Sequence, residues 1–89
     1  MRSQVNAASS SGNLSGRTLK YKAAGPDVLT LQEYLNAHGY VIAQAGAGSP
    51  GHETTLFGLL TRKAVQKFQK DHGLNPDGIV GPKTRSLMV

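Results

Sequence analysis

Two nine-residue phrases constrain this chain more than its composition does. Phe57 to Val65 reads F-G-L-L-T-R-K-A-V, and twenty-three positions later Val80 to Met88 reads V-G-P-K-T-R-S-L-M. Each sets an apolar residue before Gly, then Thr-Arg at the same offset, then further apolar residues. The pairs H-G-Y (His38–Tyr40) and H-G-L (His72–Leu74) recur in the same way. Glycine just past an apolar-periodic segment stops a helix, because it accepts the left-handed conformation without a Cβ penalty. The His-Gly pairs are therefore helix ends, and the apolar-Gly phrases are helix starts. The chain is two copies of one unit that share a middle helix. Neither unit could bury its apolar stripe alone, whereas the two together make one small core.

The spacing predicts a first helix from Pro26 or Asp27 to Gly39. Proline suits a first helical turn, where its missing N–H has no partner anyway, and Asp27 complements the dipole. Val28, Leu31, Leu35 and His38 form its stripe, with Tyr34 beside it. Tyr40-Val41-Ile42 is a short extended fragment, and Ala45–Gly51 (A-G-A-G-S-P-G) is a flexible loop on composition. A second helix is expected from Leu60 or Thr61 to His72. Thr61, Ala64, Val65, Phe68 and His72 lie on one side of it, and Lys63, Lys67 and Lys70 on another. Asn75-Pro76-Asp77-Gly78 is a turn, with Pro fixing φ and Gly free to take φ > 0. Pro82 or Lys83 starts a short third helix with Leu87 and Met88 facing inward. The fold class is all-α: a small three-helix bundle with a pseudo-repeat, at most a minimal β element, and a disordered N-terminal leader.

Eighty-nine residues leave room for one domain and little volume for an enclosed active site. With no cysteine, disulfides and thiolate metal sites are unavailable. The net charge of +5 is unevenly placed. Residues 1–24 carry Arg2, Arg17, Lys20 and Lys22 and no acid, whereas residues 25–89 carry six bases against five acids. The leader, rich in Ser, Asn, Ala and Gly, cannot bury enough apolar area to offset chain entropy. It is read as residues 1–24, mostly disordered, with Leu19-Lys20-Tyr21 as a short extended piece against the domain at 25–89. No apolar run reaches the ~18 residues of a membrane span, and residues 1–20 lack the apolar segment of a signal peptide.

Catalytic chemistry finds little support. His52-Glu53 begins like the zinc signature H-E-x-x-H, but the fifth residue is Leu56, so the second ligand is missing. Gly46-x-Gly48-x-x-Gly51 fits a dinucleotide fingerprint by letter, yet no apolar-faced helix opens directly after it and no parallel sheet fits the chain. The five carboxylates form no motif-placed pair. His38 and His72, at equivalent helix ends, suit capping of the last carbonyls. No catalytic residue, cofactor or metal ligand is assigned, and a noncatalytic monomer is expected.

Three fragments in register carry a resemblance: D-V-L-T-L-Q-E-Y-L-N-A-H-G-Y, then F-G-L-L-T-R-K-A-V-Q-K-F-Q-K-D-H-G-L, then D-G-I-V-G-P-K-T-R-S-L. Over Gly25–Met88 the chain resembles the peptidoglycan-binding-domain-like family, three-helix modules of bacterial cell-wall proteins. The same fold also resembles the pro-segment module of matrix metalloproteinases. Two departures stand out: a longer loop through G-A-G-S-P-G-H-E-T-T, and Leu59 where the family commonly has proline. Both lie outside the helical cores, and they put the ligand role of loop 43–56 in doubt.

The resemblance implies a noncatalytic module that anchors an attached wall hydrolase or other envelope domain to murein, in the bacterial envelope or outside the cell. Candidate ligand-binding residues are Tyr34, Tyr40, Arg62, Gln69, Asp77 and Arg85. The tyrosines offer faces for sugar rings. Arg62 and Arg85 follow the helix-starting threonines, and a guanidinium matches a stem-peptide carboxylate in two parallel hydrogen bonds. Gln69, like Gln32, stands at the family's glutamine position, where its amide can bond loop backbone or ligand, and backbone is the favoured partner. Asp77 is most simply a turn former. A protein-interaction module of the same fold is the principal rival. Nucleic-acid binding through the basic leader ranks last, since a nucleic-acid domain more usually concentrates charge on its folded face.

Overall fold

The computed structural model describes residues 17–88. Three helices follow one another: α1 (Pro26–Ala37), α2 (Leu59–Asp71) and α3 (Pro82–Ser86). Isolated antiparallel bridges, Leu19 with Val80 and Ala24 with Leu56, are the only β pairing among the described residues. The all-α expectation holds, and α2 begins one or two residues earlier than its stripe suggests.

The duplicated phrases fold alike. Gly58 and Gly81 precede α2 and α3 with nearly the same backbone, φ −97° and ψ −171° against φ −98° and ψ −167°. The residue before each glycine, Phe57 or Val80, is fully buried. At the other ends, α1 and α2 stop by one geometry. Gly39 and Gly73 take positive φ, and the next N–H returns to the carbonyl five residues earlier: Tyr40 to Leu35 and Leu74 to Gln69, both at 2.8 Å. That pattern satisfies orphan helix-end carbonyls. His38 Nδ1 faces the Tyr34 carbonyl and His72 Nδ1 the Phe68 carbonyl, each at 2.8 Å. A carbonyl only accepts, so Nδ1 carries the proton in both rings.

The core gathers Val28, Leu31 and Leu35 of α1, Ala64, Val65 and Phe68 of α2, and the anchors Phe57, Val80, Ile42 and Met88. Two inward assignments need correction. His38 is exposed, because α1 ends at Ala37 and the ring folds back onto Tyr34. Leu87 is 41 % exposed while Met88 is buried. A five-residue helix completes little more than one turn, so it buries only one side of its end.

Leu19 completes the core at 1 % exposure. Its N–H and carbonyl both pair with Val80, at 3.1 and 2.8 Å, while Lys22 N–H donates to the Phe57 carbonyl and Phe57 N–H to that of Ala23. One strap of chain thus crosses both anchor residues of the repeat. The extended piece expected at Leu19–Tyr21 is present, and residues 17–24 belong to the folded unit. Arg17 secures the strap, its Nε and Nη2 donating to Asp27 at 2.6 and 2.8 Å. The expectation for residues 1–16 lies outside the described residues.

Candidate functional site

Each repeat builds its turn around one buried glutamine. In the first, Gln32 Nε2 donates to the Leu56 carbonyl at 2.8 Å and to Thr61 Oγ1 at 3.1 Å, while its Oε1 accepts the Thr54 N–H at 2.6 Å. In the second, Gln69 Nε2 donates to the Ile79 carbonyl at 2.9 Å and to Thr84 Oγ1 at 3.0 Å, while its Oε1 accepts the Gly78 N–H at 2.9 Å. The threonine that opens the next helix is thereby tied to the glutamine of the preceding one. This explains why the phrase carries Thr: a hydroxyl accepts the amide proton inside the core, where an unmet donor is expensive.

Beside the first glutamine lies a groove of about 640 Å³ at the start of α2. Leu56, Leu59 and Leu60 stand at its rim, 57, 55 and 50 % exposed. Tyr21 forms another wall, on a strap turn where Lys22 adopts φ 77°. That is an uncommon backbone for a residue other than glycine. No side chain caps α2, so the first-turn N–H groups of Leu59 and Leu60 have no partner among the described residues. A smaller groove of about 260 Å³ adjoins it, sharing Ile42 and Leu60 and edged by Tyr40, Lys63 and Lys67.

The loop expected to be flexible is hydrogen-bonded throughout and forms the far wall. Asn36 accepts the Ile42 N–H at 2.9 Å and donates to the Gly48 carbonyl at 3.0 Å and to Glu53 at 2.8 Å. Glu53 in turn accepts the Gly51 N–H. The Asn36 amide, with these backbone donors and nearby His52, holds the Glu53 carboxyl below its ordinary value.

The six candidate residues fall in different places. Tyr40 packs edge-on against Phe68, donates to Asp71 at 3.0 Å, and borders the smaller groove. Partial burial, then the Asp71 contact, raises its phenol above the ordinary tyrosine value. Tyr34 stacks on His38 and donates to the Leu87 carbonyl at 3.3 Å, away from the α2 groove. Gln69 is buried with both ends of its amide satisfied internally, which leaves nothing for a ligand. Asp77 is exposed but its Oδ1 accepts from Gln69 and from the Ile79 N–H. Arg62 is exposed and runs along Gly78. Arg85 reaches the Arg17 carbonyl at 3.5 Å.

Sequence reasoning missed Tyr21 and the leucine rim. The signal was present: Leu59 and Leu60 precede the core stripe of α2 and have no role in it. A helix that opens with two leucines off its buried face is showing apolar surface.

The fold defines a class first: a small three-helix module with open grooves at its helix starts. Residues 24–88 match the family model of the peptidoglycan binding domain, and the chain belongs to that family. It is 39 % identical over 79 residues to the N-acetylmuramoyl-L-alanine amidase CwlM of Mycobacterium tuberculosis, across 83 % of this chain and 18 % of that protein. To the amidase CwlL of Bacillus licheniformis it is 36 % identical over 86 residues, covering 96 % of this chain and 22 % of the amidase. The crystal structure of the SleB N-terminal domain superposes with a TM-score of 0.71 at 30 % identity, covering 85 % of this chain and 93 % of that one. The chain therefore spans about a fifth of the length of these amidases. No helix among the described residues is long and apolar enough to cross a membrane.

Proposed function

We propose that the chain binds murein through the groove at the start of α2 and so holds an attached catalytic domain, such as a wall hydrolase, at the bacterial envelope. The module itself is noncatalytic in this reading. One observation carries the location: a domain too small to waste apolar residues leaves Leu56, Leu59 and Leu60 half exposed around a single opening. Murein presents matching surface in the acetyl and lactyl methyls of its sugars and the alanyl methyls of its stem peptides. The free N–H groups at the start of α2 suit acetamido or carboxylate oxygens. Tyr21 offers a ring face and Tyr40 a second one across Leu60, while Arg62, which runs along Gly78, lines neither groove. Tyr34, Gln69, Asp77 and Arg85 support the fold rather than this groove.

An open groove of this size supports micromolar to millimolar affinity, about −8 to −4 kcal/mol. Retention at the wall would then draw on neighbouring modules or the partner domain. The test is sedimentation with purified, protease-treated sacculi. The chain is expected in the pellet, and Leu59→Ser with Leu60→Ser should leave it in the supernatant while preserving the helical circular dichroism. Binding lost on protease treatment of the sacculi would instead favour a protein partner.

A further inference from the structure

The repeat duplicates more than a turn. At the start of α3 a second groove of about 590 Å³ opens over Gln69 and Thr84, as the first opens over Gln32 and Thr61. Its floor is held by the same set of hydrogen bonds. Its rim keeps an exposed aliphatic residue at the equivalent place, Ile79 for Leu56, at 39 % exposure. Three substitutions change its character: Asp77 stands for Thr54, Pro82 for Leu59, and Lys83 for Leu60. The leucine wall has become a cation on one side and a carboxylate on the other. Both are exposed, and neither joins an ion pair among the described residues.

We propose that this second groove is a distinct binding site for the charged part of the murein stem peptide, the diamino-acid segment that carries a free carboxylate and a free ammonium. The proposal rests on the murein reading of the first groove. Lys83 faces the carboxylate and Asp77 the ammonium, through the oxygen not taken by Gln69 and Ile79. Ile79 covers the methylene stem between them. A segment bearing only one charge would leave one of these residues unanswered, and an uncharged sugar both, so the peptide is the better match. The two floors lie on one helix: Thr61 and Gln69 are eight residues apart, about 12 Å along the axis. A polymer that repeats sugar and peptide can occupy both grooves at once, turning two weak contacts into one firmer attachment.

The test is amide chemical-shift titration of the full chain with a soluble disaccharide–tetrapeptide containing diaminopimelate. Two groups of amides should move, one at Tyr21, Leu56 and Leu59, the other at Leu74, Ile79 and Lys83. Leu60→Glu should silence the first group and spare the second. Lys83→Glu should weaken the second about tenfold and spare the first. Leu60 and Lys83 are both exposed, so each variant should keep a dispersed spectrum. A first group that moves while the second stays still overturns the proposal, as does loss of both groups in Leu60→Glu. An unchanged second group in Lys83→Glu removes the charge assignment. If neither group moves in the unsubstituted chain, the murein reading itself fails and takes this site with it.

Discussion

Gln69 shows how one side chain can set a backbone. Its amide meets the Gly78 N–H, the Ile79 carbonyl and the Thr84 hydroxyl at once, all in the interior. Gln69→Leu keeps the volume but strands these groups without water, so a loss of about 2–4 kcal/mol in urea unfolding is expected. Its position was legible through the resemblance and loop backbone was its favoured partner, while the complete use of its amide inside the domain needed the fold. Glu53 supplies a pH-dependent counterpart. Its carboxyl titrates below the ordinary value of 4.5 because Asn36 and backbone N–H groups favour the anion. A depressed folded-state pKa means that stabilisation is present above the unfolded value and fades as pH falls through the folded one. Acidification below about 4.5 should therefore loosen the loop first, seen as shifts of the Gly48 and Gly51 amides before any change in helix content. Shifts that track global unfolding instead would show that Glu53 does not organise the loop.

At the scale of elements, the helix starts pose a choice between stability and exposure. Gly58 lies in the extended region, and a Cβ there would meet nothing within 4 Å. Serine fits that backbone, and its hydroxyl could accept the N–H of Leu60 or Thr61. Gly58→Ser should thus raise stability by about 0.5–1 kcal/mol in thermal unfolding. It should also weaken binding to sacculi, because the hydroxyl occupies donors left open at the groove. Unchanged binding would mean that those N–H groups face no ligand. Helix stops were legible because His-Gly before an apolar residue has a local cause. The ordered loop was not: its glycines read as flexible, and its order comes from Asn36, six to seventeen residues away in sequence. Leu87 was misplaced for a similar reason, since a stripe drawn over so short a helix cannot say which end residue turns inward.

The whole molecule is held together by a segment that composition assigned to the leader. Leu19 is the only core residue contributed by the strap among the described residues, and its backbone clasps Val80 while Lys22 and Ala23 clasp Phe57. The anchors of both repeats therefore share one closing element. Alternation around a lone leucine in a Ser- and Gly-rich stretch is too short to announce this; only the geometry of the two turns creates the slot that Leu19 fills. Leu19→Ala should leave a cavity under both anchors and lower stability by about 2–4 kcal/mol. For a domain whose total is on the order of 5–10 kcal/mol, that is a large share. The same strap carries Tyr21 to the α2 groove, so under the proposed function one segment serves both folding and recognition. If the repeats depend jointly on it, denaturation of Leu19→Ala followed at Tyr40 and at Ile79 should give coincident midpoints, both shifted down. Separate midpoints, with only the Val80 side weakened, would mean that each repeat keeps its own fold and that the strap merely lies across them.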